Sequence, residues 1–139
     1  MPAETVTNQR LLHRRVALFS QSGPGRLLLH RPTPQSPWNP SAAGPVLWDE
    51  AAEDAALRLC APGVQPSTMH HLTVLPPTPD FQAFLWIFVS QEKIIPPSWM
   101  AVDAEELAAL LSRYPDQLAP EISRAWHAGA LWLSSQVPK

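Results

Sequence analysis

A chain of 139 residues is large enough for one domain with its own core, and a formal charge of −2 gives no electrostatic case for nucleic acid or an anionic membrane as a partner. Only 16% of residues are charged, which leaves apolar surface for an interface, a homodimer included. The 17 prolines are dispersed between Val, Leu and Trp runs, the pattern of proline-rich loops on a folded domain and not of a disordered chain.

Residues 1–9 are mostly polar and lack the apolar core of a signal peptide, so a flexible tail is expected there. No apolar run approaches the roughly 20 residues of a membrane span, and a cytoplasmic protein is the expectation. Cys60 is the single cysteine and has no internal disulfide partner; on a helix it reads as a small apolar residue. Residues 10–15 carry Arg10, Arg14, Arg15 and His13 around Leu11 and Leu12, either a solvated lead-in to a strand or an anion-binding patch.

Residues 16–19 form a strand core, Gly23-Pro24-Gly25 signals a turn, and residues 26–30 complete a hairpin. Four prolines make residues 32–40 a loop around Trp38. Residues 42–48 read as a strand, and Asp49 and Glu50 put negative charge where a helix begins. Residues 51–60 form that helix: Ala52, Ala55, Ala56 and Leu59 fall on one stripe, Asp54 and Arg58 stand four apart and can pair, and Pro62-Gly63 stops it.

Residues 69–75 read as a strand on which the adjacent His70 and His71 point to opposite faces, one buried and one exposed, so that they share no metal. No other Cys or His cluster has zinc-site spacing. The near-continuous apolar run over residues 81–90 predicts a central strand covered on both faces. After a short strand at residues 99–102, Asp103 and Glu106 stand at capping-box spacing before a helix with Leu107, Leu110 and Leu111 on its apolar face. Residues 114–119 connect to a C-terminal helix spanning 118–135, with Pro120 in its first turn, Ile122, Trp126, Gly129 and Leu133 facing the domain, and His127 exposed. No Ser-His-Asp or Cys-His arrangement is recognisable from spacing.

Residues 44–64 resemble the signature box of the Nudix hydrolases: Gly, five residues, Glu, seven residues, then Arg-Glu-apolar-any-Glu-Glu-any-Gly-apolar. Gly44, Glu50 and Arg58 stand at the matching spacings, and Gly63-Val64 closes the segment. The approach, Trp38-Asn39-Pro40-Ser41-Ala42-Ala43-Gly44, is similar to that of many members, and residues 99–107 resemble the family's strand-to-helix junction. The resemblance covers roughly residues 14–126. It implies an α/β fold, a Nudix-type α/β/α sandwich with a mixed, twisted sheet in a single domain over 1–139, with the box helix and the C-terminal helix on different faces.

The family's box helix supplies glutamates that hold magnesium. Here the first of those places is Leu59, the Glu-Glu pair is replaced by Pro62-Gly63, and the segment is two residues short. The approach also resembles that of isopentenyl-diphosphate isomerases, but the places of their cysteine and metal-binding histidine are Ala43 and Pro45. By resemblance, Glu50 and Arg58 support the box loop, Arg31 at a strand end is a candidate for contacting phosphate, and Trp38 either plugs the core edge or stacks on a base. Glu105 holds a region where some members place a base. The resulting expectation is a non-catalytic Nudix-fold module without a cofactor, binding a nucleotide-like or diphosphate ligand or a protein partner. The alternative is a hydrolase of nucleoside diphosphate derivatives whose magnesium is held by displaced carboxylates, Glu53 and Asp54 with Glu50. Whether the chain is an enzyme is left open between these.

Overall fold

The computed structural model describes residues 14–22, 25–61, 69–92 and 97–131. In chain order the elements are β1 (Arg14–Gln21), β2 (Leu27–Leu29), β3 (Ala42–Pro45), α1 (Ala52–Leu59), β4 (His70–Leu75), β5 (Phe84–Gln91), β6 (Met100–Val102), α2 (Ala104–Arg113), a 3-10 turn at Pro115–Gln117, and α3 (Pro120–His127).

The strands form one mixed six-stranded sheet in the order β4-β5-β1-β2-β6, with β3 also on β1. β1 and β5 run parallel over their full length, from Arg14 opposite Phe84 to Gln21 opposite Gln91. All other pairs are antiparallel. One edge of β1 is divided between two partners: β3 lies along its first half, with Arg15 opposite Pro45 and Leu18 opposite Ala42, and β2 joins it only where Gln21 faces Leu27.

Alternation along β1 and β5 sends side chains to two separate cores. Val16, Leu18 and Phe88 pack with Ala42, Val46, Ala55 and Ala56, so α1 covers one face. Ala17, Phe19, Leu85, Ile87 and Val89 pack with Leu107, Ile122 and Ala125, so α2 and α3 cover the other. This is the expected α/β/α sandwich, with the box helix and the last helix on opposite faces. The apolar run leading into β5 becomes an interior strand for the reason its composition suggests: both of its faces are covered.

Several boundaries differ from the sequence reading. The strand expected over 42–48 ends at Pro45, and Leu47 and Trp48 project from a turn at 50% and 70% exposure. Apolarity there does not mark a strand, because the chain must reverse to start α1. His70 and His71 are both exposed, since β4 is an edge strand with an irregular register between His71 and Thr73; His71 lies against Phe88 with ring centroids 5.2 Å apart. The expected helix over 118–135 is α3, only Pro120–His127. Pro120 does start it. Gly129 ends it at φ 76°, donating to the Trp126 carbonyl at 3.0 Å, a left-handed stop that glycine adopts at little steric cost. Leu133 and residues 1–9 lie outside the described residues. No helix among the described residues is long and apolar enough to cross a membrane.

Candidate functional site

The box turn is built first by backbone reversal after β3 and then by charge. Glu50 folds back so that its Oε1 accepts from the Leu47 amide at 3.0 Å, and the Glu50 amide donates to the Leu47 carbonyl at 3.0 Å. From α1, Arg58 donates through Nε to Oε2 and through Nη2 to Oε1, both at 2.9 Å, and Nη2 also reaches the Pro45 carbonyl at 3.0 Å. The hydrogen bonds from Arg58 and from the Leu47 amide hold the Glu50 carboxyl down at a pKa of about 2. Arg14 closes the turn from below, its Nη2 lying 2.7 Å from the Leu47 carbonyl and 3.3 Å from that of Trp48. Thus Arg58 is engaged by Glu50 and the Pro45 carbonyl, not by Asp54 four residues away. Arg14 and Arg15, offered by sequence as an anion patch, are taken up by the protein: Arg15 Nε donates to Glu121 Oε2 at 2.7 Å.

Gly44 sets how closely α1 can approach β3. A Cβ at this position would stand 3.0 Å from Leu59 Cδ1, inside ordinary contact. Leu59 is therefore a packing residue against the strand. α1 ends there: Cys60 has extended backbone (φ −63°, ψ 132°), and the Ala61 amide donates to the Ser41 carbonyl at 2.8 Å. Leu59, Cys60 and Ala61 at this end provide no side-chain oxygen, whereas magnesium takes about six oxygen ligands anchored by carboxylates. Glu53 and Asp54 are exposed in the first turn, about 9 Å back along the helix from Cys60 at 1.5 Å per residue. Among the described residues no three or more His, Cys, Asp or Glu are grouped to hold a metal ion.

The end of α1 adjoins a buried polar chain that sequence reading missed. Ser20, Ser41 and Ser90 are at most 1% exposed and lie on three different segments. Ser20 Oγ hydrogen-bonds Ser41 Oγ on one side and Ser90 Oγ, at 2.9 Å, on the other; Ser90 Oγ donates to Glu92 Oε2 at 3.2 Å. A hydroxyl has one proton. With Ser90 donating to Glu92, Ser20 must donate to Ser90 and Ser41 to Ser20, so all three protons point toward the carboxylate. Beside it, Gln91 Nε2 donates to Gln21 Oε1 at 2.6 Å. Burial, and then the charge of Glu92, raise the Cys60 thiol pKa, which keeps it protonated and unreactive at neutral pH. Single serines separated by tens of residues carry no spacing signal; only the parallel pairing of Ser20 with Ser90 could have suggested the chain.

Arg31 and Trp38 are brought together, with the guanidinium carbon 4.6 Å from the indole centroid. Trp38 is partly buried against the core under α2 and α3, and its backbone bridges to the last segment: its amide donates to the Gln117 carbonyl at 2.7 Å and the Ala119 amide donates to its carbonyl at 2.9 Å. Next to them His30 stacks on Trp99 at 4.5 Å, and burial lowers the His30 pKa against a hydrogen bond with the Pro40 backbone. Glu105 is exposed in the first turn of α2, a helix packed on the opposite face of the sheet from α1. The cap is formed by its neighbours: Asp103 accepts from the Glu106 amide at 2.8 Å and Glu106 from the Asp103 amide at 2.9 Å.

No family model matches the sequence, and no curated protein does. Solved structures do match the fold. DR0079 from Deinococcus radiodurans superposes with a TM-score of 0.57 at 19% identity, covering 72% of this chain and 73% of that one. The Nudix hydrolase RenU from M. smegmatis gives 0.55 at 19% identity, covering 91% and 88%. A C. elegans Ap4A hydrolase gives 0.52 at 14% identity, covering 84% and 97%. With the mixed sheet and the helices on its two faces, this likeness defines the architecture: the chain has the Nudix fold.

Proposed function

We propose that this Nudix-type domain is a non-catalytic binding module for a nucleotide-like or diphosphate ligand. The observation that carries this reading is the end of α1. There Leu59 packs on Gly44, Cys60 leaves the helix, and Ala61 is tied to Ser41, so the place where a metal-binding carboxylate is expected is given to packing and backbone hydrogen bonds. Metal-assisted hydrolysis of a diphosphate needs a cation that polarises the phosphoryl oxygens and activates water. The Glu53 and Asp54 carboxylates stand one to two turns earlier and are exposed to solvent. The Arg31–Trp38 pair supports the binding half of the reading, since it joins a fixed positive charge to an aromatic face.

The test is a panel of nucleoside diphosphate derivatives offered to the purified protein with magnesium or manganese. Phosphate and nucleoside monophosphate release should equal the buffer control, while calorimetry should detect saturable binding of at least one panel member that Arg31→Ala weakens. Metal-dependent turnover abolished by Glu53→Gln or Asp54→Asn would reverse the conclusion and assign the chemistry to a displaced site.

A further inference from the structure

The groove between α3 and the turn joining β4 to β5 lies far from the box. It encloses about 410 Å³ and is lined by Thr78, Asp80, Phe81, Ser123, Arg124 and His127. That is within the roughly 300–1,000 Å³ range of small-molecule sites. Ser123, Arg124 and His127 belong to one face of α3, at i, i+1 and i+4, beside the face that buries Ile122 and Ala125. α3 covers the opposite side of the sheet from α1, so the groove and the box helix share no wall.

Arg124 is the residue that sets this groove apart. Of the other half-buried arginines, Arg15 has the Glu121 carboxylate and Arg31 the Trp38 ring; Arg14, whose Nε is also buried without an acceptor among the described residues, gives its Nη2 to the carbonyls of the turn after β3 and lines no comparable groove. Among the described residues Arg124 makes one hydrogen bond, from Nη2 to the Pro76 carbonyl at 2.8 Å. Among the described residues its buried Nε has no acceptor, and no carboxylate lies within ion-pair distance of the guanidinium. A partly desolvated cation without a counter-charge is costly unless an anion supplies it. Apart from the Asp80 carboxylate, the neighbouring polar side chains can donate. Thr78 Oγ1 accepts from the Phe81 amide at 3.0 Å, which leaves its own proton to give. Ser123 adds a hydroxyl and His127 a ring N–H.

We propose that this groove binds the phosphate group of a small phosphorylated molecule, with Arg124 as its anchor. A phosphate suits the donor set better than a carboxylate does. One arm of the Arg124 fork is already held by Pro76, so the paired contacts a planar carboxylate prefers are compromised, whereas donors arriving from α3 and from the turn match the several acceptors of a tetrahedral oxyanion. Asp80 on the wall opposes the bound charge and keeps affinity low.

The experiment is a titration of the full chain with inorganic phosphate and with glycerol phosphate, followed by amide NMR shifts, at constant ionic strength set with chloride. Saturable binding in the millimolar range, with shifts confined to the 78–81 turn and to α3, is the expected result. Arg124→Gln should weaken it about tenfold or more, and Arg124→Lys should weaken it less. Asp80→Asn should tighten it about two- to fivefold by removing the repulsion, an outcome that a merely structural role of the groove would not produce. Inorganic phosphate binding as well as glycerol phosphate identifies the oxyanion as the recognised group; tighter glycerol phosphate places the ester substituent on Phe81. Absence of saturation, or equal affinity in wild type, Arg124→Gln and Asp80→Asn, overturns the proposal. So do shifts centred on Arg31 and the box turn, which would assign the phosphate to the other site. If Arg124→Gln fails to fold, Asp80→Asn alone still decides.

Discussion

Arg58, in the last turn of α1, grips both oxygens of Glu50 at 2.9 Å and so ties the helix to the turn that precedes it. Glu50 in turn holds the Leu47 amide, so one carboxylate organises the whole reversal between β3 and α1. Their pH dependence follows from the depressed pKa. A Glu with an ordinary value near 4.5 in the unfolded chain and about 2 in the folded one stabilises the fold above pH 4.5. That contribution is lost as pH falls toward 2. Thermal melts from pH 7 to pH 2 should show Tm falling through this window, and Glu50→Gln should flatten that part of the profile while lowering Tm at pH 7. Arg58→Ala should lower Tm as well, with Arg58→Lys intermediate because it gives up the two-point grip.

Gly44→Ala should destabilise by about 1–3 kcal/mol, the range for inserting a methyl group into a packed contact. The causes are the φ of 157° at Gly44, which an L side chain rarely adopts, and the 3.0 Å approach to Leu59 Cδ1. In a Leu59→Ala background the same change should cost less. A double-mutant cycle by urea denaturation measures the coupling, and a coupling of zero would assign the whole cost to the backbone conformation of Gly44 and none to the Leu59 contact.

Ser20→Ala removes the middle hydroxyl of the chain that runs from Ser41 to Glu92. It leaves Ser41 without its acceptor and Ser90 without its donor, in a region at most 1% exposed. The expected cost is about 1–3 kcal/mol. Ser20→Cys, which keeps a weak donor, should recover part of it. Chemical denaturation with the slope held common to the variants is the measurement.

The Arg15–Glu121 pair offers an asymmetric comparison. Glu121 is 2% exposed and Arg15 is 35% exposed. Arg15→Ala strands a buried carboxylate and should cost about 2–3 kcal/mol, below a fully enclosed pair because solvent already reaches the guanidinium. Glu121→Gln should cost less, since the amide oxygen still accepts and Arg15 can turn to water. Equal losses would show that packing, not charge, governs the site.

Much of the local order is legible along the chain because it depends on neighbours in sequence. The Asp103–Glu106 cap, the Ala55–Ala56 stripe of α1 and Pro120 at the start of α3 follow from propensity and period and stand in the fold as read; the doubly apolar strand read over 81–90 is there as β5, but starts only at Phe84. The spacing of Gly44, Glu50 and Arg58 likewise carries the turn between β3 and α1. What the sequence could not settle depends on which strands become neighbours. His70 and His71 both face solvent because β4 lies at the sheet edge, a fact about topology and not about alternation. Leu47 and Trp48 are apolar yet exposed because the turn must close on Glu50. Buried Ser20, Ser41 and Ser90 join Glu92 in one chain, and Arg124 is left without a carboxylate partner among the described residues, only when β1 lies parallel to β5 and α3 lies across the sheet. Local pattern specifies elements; burial and pairing of distant polar groups arise from packing, and that is where this protein places its candidate chemistry.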